Sequence, residues 1–356
     1  MIPENLRRQI STDSLESCGS GIRWHSILTK QKLSIGVIGG SVTQGYSAVG
    51  FSPSAYPMLF GEGLRARGYE TEVHVSAEAG MGSMEGNLLA DSQIICYHPD
   101  LVVLEFAINE TTLRPSVIAF ESLLRKLLSQ PEPPVVCLLM IRSANDYSCE
   151  SFMLPLAEHY GLPCIRLRKG LNPLLERGDL KWEDYGDAES HPNDDGQLLL
   201  AECLLHLIDT AKDLPDEPAR PLPEPWLDAP FQRLRYLLPE ANTASVRTDA
   251  PIVERYNRSF PAAWLLSCKN GGMRIQTECE SLLLFYETHR LPEYGACRIT
   301  ADGEELNPPV LHSNSIYGWG NARFVVAVPP GPHRMHTIEL EPTEGNFYLL
   351  GLGIVL

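Results

Sequence analysis

The sequence predicts an open α/β domain followed by an all-β sandwich, and two patterns carry that expectation. Over the first two-thirds, short apolar runs alternate with segments of helical periodicity. Beyond about residue 240 no helix-length periodic segment remains, and short strand patterns follow one another between turn signals. Strand and helix in alternation build a parallel sheet between two helix layers. A succession of short strands punctuated by Gly and Pro builds a sandwich instead.

The apolar runs of the first part are 33–38 (LSIGVI), 71–76 (TEVHVS), 101–107 (LVVLEFA), 134–141 (PVVCLLMI) and 163–167 (PCIRL). Several are almost continuously apolar, as strands covered on both faces must be. Helical patterns lie between or after them, near 54–67, 84–97, 115–129, 149–160 and 194–210. In such a sheet a ligand site forms at the C-terminal ends of the strands. The stretch 211–230, AKDLPDEPARPLPEPWLDAP, carries six prolines and few aliphatic residues, which reads as a semi-rigid linker wrapped over a surface. After it come AAWLLSC, MRIQTE, SLLLFYE, CRITADGEE, ARFVVAVPPG, HTIELEP and FYLLGLGIVL. Gly271-Gly272, Asp302-Gly303 and Pro329-Pro330-Gly331 mark turns among them. The expected division is a lead-in at 1–32, an α/β domain at 33–212, a linker at 213–230 and a jelly-roll-like sandwich at 231–356.

Composition narrows the function. The 356 residues are about twice a usual ~150-residue domain, and 44% hydrophobic with 21% charged residues is ordinary for a globular chain. A formal charge of −16 argues against nucleic acid or an anionic membrane as the main partner, since both attract basic surfaces. The N-terminal stretch MIPENLRRQISTDSLES has no apolar segment, so no secretion signal is read there. No window approaches the ~18 apolar residues of a membrane span. The nine cysteines have no paired spacing, and Cys96, Cys137 and Cys203 sit in apolar runs, which fits free thiols in a reducing cytoplasm. No CxxC occurs, so no zinc site is expected, and no other cofactor is implied.

Four stretches could carry chemistry, each at the C-terminal end of a strand or in the loop after it. IGGSVTQG at 38–45 sets Ser41 at a glycine-rich turn, and AEAGMGSMEG at 77–86 follows the second strand. LEFAINE at 104–110 holds Asn109, and DAESHPNDDG at 187–196 holds His191 just before the last helix. Each has a plainer explanation. Ser41 could be a helix N-cap, Asn109 a turn cap, and His191-Pro192-Asn193 ordinary helix-start chemistry. Gly80, Gly82 and Gly86 could serve only a tight turn and close packing. Their joint occurrence, in this order and at the right strand ends, is much harder to obtain by chance.

These four stretches resemble blocks I, II, III and V of the SGNH (GDSL-type) hydrolases, over about residues 33–210. The resemblance implies a flavodoxin-like α/β/α domain with a five-stranded parallel sheet, and esterase chemistry that needs no cofactor. Gly-Gly-Ser in place of Gly-Asp-Ser, EFAIN, and a β-rich partner domain are most similar to members acting on acylated carbohydrates. By the same resemblance Ser41 matches the nucleophile and His191 the general base. A serine hydroxyl needs a neighbouring imidazole to take its proton during attack. Pro192 biases His191 to an extended backbone and keeps it out of the helix. Asn109 matches the oxyanion-donor asparagine, joined by the backbone N–H of Ser41 and of Gly82, preferred over Gly80. Each such donor is worth about 3 kcal/mol.

The chain departs from the family pattern in three places. The aspartate usually stands three residues before the histidine, where this chain has Ala188. Asp187 is therefore the favoured orienting carboxylate, with Glu189 and Asp184 as alternatives. Block II usually opens on asparagine, and here Glu78 or Ala77 stands there. Glu110 replaces the aspartate that commonly follows the oxyanion asparagine.

Other readings are weaker. A P-loop would need Lys-Ser/Thr after the glycines, and the spacing of Gly36, Gly39 and Gly40 does not fit a dinucleotide fingerprint. A metal site from Asp187, Glu189, His191, Asp194 and Asp195 has only one local histidine. The expectation is thus a serine esterase that removes a small acyl group, acetyl above all, from a carbohydrate or similar small ester. An acyltransferase of the same fold and a non-catalytic carbohydrate-binding protein are the alternatives. Trp319 and Tyr294 in the β half could stack on sugars, or simply pack in a core or dimer contact. A homo-oligomer whose β domain covers a neighbour's site is left open.

Overall fold

The computed structural model describes residues 1–47, 50–51, 54–239, 245–255, 257 and 259–356. Contacts divide the chain into two units, Met1–Gln232 and Arg233–Leu356.

The first unit is built on a six-stranded sheet. Its strands are β1 (Leu15–Cys18), β2 (Lys32–Gly39), β3 (Glu70–Ala77), β4 (Leu101–Glu105), β5 (Val135–Met140) and β6 (Pro163–Arg166), in the spatial order β1-β6-β5-β4-β2-β3. The five strands expected from the apolar runs are the five that pair in parallel. β1 adds an antiparallel edge against β6. Its four residues, LESC, are half-buried and carry no apolar run, so nothing local marks them as a strand. β4 and β5 are buried along their whole length, which is why they read as continuous hydrophobic stretches.

Ten helices accompany this sheet among the described residues: α1 (Glu4–Ser14), α2 (Trp24–Leu28), α3 (Ser41–Gln44), α4 (Tyr56–Ala66), α5 (Ser83–Gln93), α6 (Arg114–Leu128), α7 (Glu150–Tyr160), α8 (Leu167–Arg177), α9 (Trp182–Tyr185) and α10 (Asp194–Ala211). α1 packs with α8 and α10, α4 packs with α10, and α5 packs with α6. The five patterned segments became α4, α5, α6, α7 and α10. α8 carries Gly170 and Pro173 inside it, breakers that hide a helix from pattern reading.

The proline-rich stretch lies along this same unit. Glu121 of α6 accepts the backbone N–H groups of Trp226, Leu227 and Asp228. Arg125 donates to the Pro223 carbonyl (2.5 Å), and the Glu217 N–H donates to the carbonyl of Ile22 (3.0 Å). Prolines remove donors from this segment, so its remaining polar groups find partners on α6 and on the loop before α2.

The second unit is all-β. Its strands are β7 (Leu234–Leu237), β8 (Val246–Thr248), β9 (Ile252–Glu254), β10 (Ala262–Ser267), β11 (Met273–Cys279), β12 (Ser281–His289), β13 (Ala296–Ala301), β14 (Glu304–His312), β15 (Trp319–Val328), β16 (Arg334–Glu344) and β17 (Asn346–Val355). One sheet runs β8-β11-β16-β13-β14, the other β9-β10-β17-β12-β15 with β7 also on β17. Counting eight strands from β10, the sheets take them as 1-8-3-6 and 2-7-4-5, the jelly-roll winding. Trp264, Leu266, Ile275, Leu284, Phe347 and Leu349 fill the core between the sheets. The run CRITADGEE is not one strand but a hairpin, β13 and β14. Asp302 (φ 54°) and Gly303 (φ 85°) form its two-residue turn, and both positive φ values are what such a loop demands.

Candidate active site

The candidate residues Ser41, Gly82 and Asn109 lie just past the ends of β2, β3 and β4. β2 leaves the sheet through Gly39 and Gly40 into the short α3, whose first residue is Ser41. A β-carbon on Gly39 would stand 2.1 Å from Thr43 Oγ1 and 2.8 Å from the Glu105 carbonyl oxygen. One on Gly40 would stand 2.5 Å from the Asn109 amide nitrogen. Both glycines are therefore forced by close approach, one by the turn itself and one by the neighbouring loop. Gly40 is the N-cap and caps nothing with a side chain, so the Ser41 hydroxyl is not spent on capping. As the first helical residue, Ser41 also has an N–H with no acceptor inside the helix.

That hydroxyl meets an imidazole. Ser41 Oγ lies 3.0 Å from His191 Nε2, and His191 Nδ1 lies 3.0 Å from Asp187 Oδ2. Ser41 is buried, and the side chains of His191 and Asp187 are each 13% exposed. The loop 186–192 that brings the last two together is a tight hairpin. The Asp187 N–H donates to the His191 carbonyl (2.9 Å), and Gly186 bridges Pro192. Asp187 Oδ1 in turn accepts the N–H groups of Glu189 (2.9 Å), Ser190 (2.8 Å) and His191 (3.0 Å). Burial works against charge on this carboxyl. The His191 and Glu189 N–H groups and the imidazole outweigh burial and hold its pKa below the usual aspartate value. Both oxygens are thus engaged, one by the backbone and one by His191.

The other carboxylates considered at sequence level face elsewhere. Glu189 is exposed and enters only through its backbone. Asp184 accepts the Lys181 N–H at the start of α9 and faces the N-terminal amine. Asp195 also faces that amine, at 3.5 Å. Among the described residues, no three His, Cys, Asp or Glu side chains converge as metal ligands would. Asn193, not His191, caps α10, its Oδ1 accepting the Gly196 N–H at 3.0 Å.

Asn109 lies in the turn that ends β4, where its N–H and that of Glu110 donate to the Phe106 carbonyl. Its side-chain amide rests against Gly40, the residue before Ser41. Gly82 is the N-cap of α5, and Gly80 takes φ 77° in the turn before it. The Gly82 N–H donates to Glu85 Oε2 at 3.2 Å, a partner that the sequence did not suggest. A hydrogen-bond donor aimed at a developing oxyanion must face the cavity, and here Glu85 competes for that N–H.

The departures from the family pattern find partners. Glu110 Oε1 accepts the Ser83 N–H at 2.6 Å, tying the Asn109 turn to the start of α5. Burial raises the Glu110 pKa, against the lowering effect of Ser83. Glu78 accepts from the Gln44 side chain (3.2 Å), joining the end of α3 to the loop after β3.

A deeper set of residues escaped the sequence reading. Glu105, at the end of β4, is fully buried beneath the Ser41 turn. It accepts from Thr43 Oγ1 (3.1 Å), which also bonds Tyr56 (2.8 Å). Burial raises the Glu105 pKa to about 8 despite the Thr43 contacts. An acidic residue inside the apolar run LVVLEFA was the available signal. Trp182 Nε1 donates to the Asp187 carbonyl, and the Arg142 guanidinium lies over the Trp182 ring, 5.1 Å from its centroid. The Ala144 N–H donates to the Glu189 carbonyl at 2.7 Å. Nothing in the local sequence around 142–144 marks those roles.

Comparison with known proteins agrees with this picture. Residues 37–199 match the model of the GDSL-like Lipase/Acylhydrolase family, a span that includes Ser41, Gly82, Asn109, Asp187 and His191. A solved structure described as a two-domain esterase (CEX) active on acetylated mannans matches with a TM-score of 0.84 at 20% identity, over 97% of this chain and 99% of that one. The same description, co-crystallized with mannopentaose, matches with a TM-score of 0.83 at 20% identity, over 97% and 98%. At that identity the likeness speaks for the fold, and it covers both units. A search of curated proteins finds no match. Through residues 37–199, this chain is similar to the GDSL-like lipase/acylhydrolase family.

Proposed function

We propose that this protein is a serine carboxylic-ester hydrolase that removes a small acyl group, acetyl above all, from a carbohydrate. The observation that carries the reading is the chain of two 3.0 Å contacts from Ser41 Oγ through His191 to Asp187. In this mechanism His191 Nε2 takes the Ser41 proton as Oγ attacks the ester carbonyl carbon. The carbonyl oxygen becomes an oxyanion, met by the Asn109 side-chain amide and the Ser41 N–H, and by the Gly82 N–H where it leaves Glu85. His191 then returns the proton to the departing sugar hydroxyl, leaving an acyl-serine. Water repeats the sequence, giving the free carboxylic acid and restoring Ser41. Asp187 holds the imidazole with Nδ1 protonated and offsets the charge it gains.

The carbohydrate class rests on the two-domain structure described as active on acetylated mannans and co-crystallized with mannopentaose. We infer a reducing compartment as well. All nine cysteines are free thiols, six of them buried. No described helix is long and apolar enough to cross a membrane.

Incubation of purified protein with p-nitrophenyl acetate and with acetylated manno-oligosaccharides tests the reading. Hydrolysis of both, abolished in Ser41→Ala and in His191→Ala, is the expected result. Turnover that persists in Ser41→Ala would remove the serine mechanism.

A further inference from the structure

We propose that the loop 143–149 forms the subsite for the alcohol side of the ester, with the Tyr147 ring as the face against which a pyranose of the substrate stacks. The proposal rests on the esterase reading above and specifies which chain element recognises the sugar.

Two sets of bonds place this loop along one wall of the reacting centre. On one side the Ala144 N–H donates to the Glu189 carbonyl (2.7 Å), inside the hairpin that carries Asp187 and His191. On the other side the loop reaches the Asn109 turn. The Tyr147 hydroxyl donates to the Glu110 carbonyl (2.6 Å), the Cys149 thiol donates to the same oxygen (3.2 Å), and the Cys149 N–H donates to the Ala107 carbonyl (2.7 Å). A segment tied at once to the imidazole hairpin and to the oxyanion turn borders the space where the ester must sit.

The loop is also held stiffly. Asp146 takes φ 63°, a conformation disfavoured for a residue with a β-carbon, and its carboxylate is gripped from three sides. Arg168 contacts both oxygens (3.1 and 2.7 Å), Asn172 donates at 3.2 Å, and Arg142 lies at 2.9 Å. Within the loop, the Ser143 N–H donates to the Tyr147 carbonyl and the Tyr147 N–H to Ser143 Oγ, each at 3.0 Å.

Tyr147 nevertheless leaves 38% of its surface exposed. Its polar end is already bonded, so what it offers outward is apolar ring. A pyranose has faces of C–H groups and edges of hydroxyls, and an aromatic face already fixed in place binds such a face with little ordering cost. The small acyl group needs no such platform, whereas a sugar alcohol does.

The test compares wild type, Tyr147→Leu and Tyr147→Phe on acetylated mannopentaose and on p-nitrophenyl acetate. In Tyr147→Leu the ratio of kcat/KM for the sugar ester over the phenyl ester is expected to fall about tenfold, the scale of one aromatic contact, chiefly through KM. Tyr147→Phe, which keeps the ring and loses only the hydroxyl's contacts with the Glu110 carbonyl and Cys149 Sγ, is expected to retain the ratio. An unchanged ratio in Tyr147→Leu overturns the subsite. A ratio in Tyr147→Phe as low as in Tyr147→Leu also overturns it, since the hydroxyl rather than the ring would then be the working part. Calorimetric titration of Ser41→Ala with mannopentaose, with and without Tyr147→Leu, reads the subsite apart from turnover. A Kd weakened about tenfold supports it, and an unaltered Kd or no binding by Ser41→Ala overturns it. Failure of wild type to hydrolyse either ester would instead strike the esterase reading itself.

Discussion

The side-chain amide of Asn109 occupies the place where Gly40 would carry a β-carbon, 2.5 Å from that position. The glycine before Ser41 and the asparagine after β4 therefore form one device, in which the absence of one side chain makes room for another. Asn109→Ala should lower kcat about a hundredfold or more, as loss of an oxyanion donor does. Gly40→Ala should act in the same direction by displacing that amide. Kinetics of the double variant decide the point, because two lesions to one device should not add. Additive losses would mean that Gly40 serves something other than Asn109.

Asp187 and Glu189 are two residues apart and should behave very differently. Asp187→Asn keeps the shape but alters what Nδ1 of His191 meets, so kcat should fall by about 10³ to 10⁴. Glu189→Gln, whose side chain is exposed, should lose at least a hundredfold less. Steady-state kcat on p-nitrophenyl acetate for both variants is the measurement. Comparable losses would dissociate His191 from Asp187.

Trp182 supports the Asp187 hairpin through a single N–H and is itself covered by Arg142. Trp182→Phe keeps an aromatic ring, smaller than the indole, and deletes the donor. One hydrogen bond is worth about 1 kcal/mol, so kcat should fall up to roughly tenfold while KM stays near wild type. A change confined to KM would place Trp182 in substrate binding instead.

Glu105 makes a prediction about stability against pH. Its pKa is raised from 4.5 to about 8 in the folded chain, so the folded state holds a proton that the unfolded state releases. Its contribution is therefore intact below about pH 4.5 and is lost progressively as pH rises toward 8. Glu105→Gln keeps a neutral group of the same shape and should flatten that decline. Melting temperature measured from pH 5 to pH 9 tests this. A wild-type curve no steeper than that of Glu105→Gln would show that Glu105 is not the cause.

The sequence by itself determined the scaffold and named the candidate residues of the proposed site. The runs LSIGVI, LVVLEFA and PVVCLLMI are almost continuously apolar because both sheet faces are covered, so burial is written locally and can be read locally. IGGSVTQG, AGMGS, EFAINE and DAESHPNDDG were legible as candidate stretches because each role proposed for them calls for a particular residue at the end of a strand or in the loop after it. The tertiary structure decided the rest. It chose Asp187 among three nearby acids, because only the closure of the 186–192 hairpin sets which oxygen faces Nδ1. It put Glu85 on the Gly82 N–H, and Arg142, Ala144 and Tyr147 around the Asp187–His191 hairpin and the Asn109 turn. The contacts of Arg142, Ala144 and Tyr147 join segments dozens of residues apart, and only the folded sheet sets their distances.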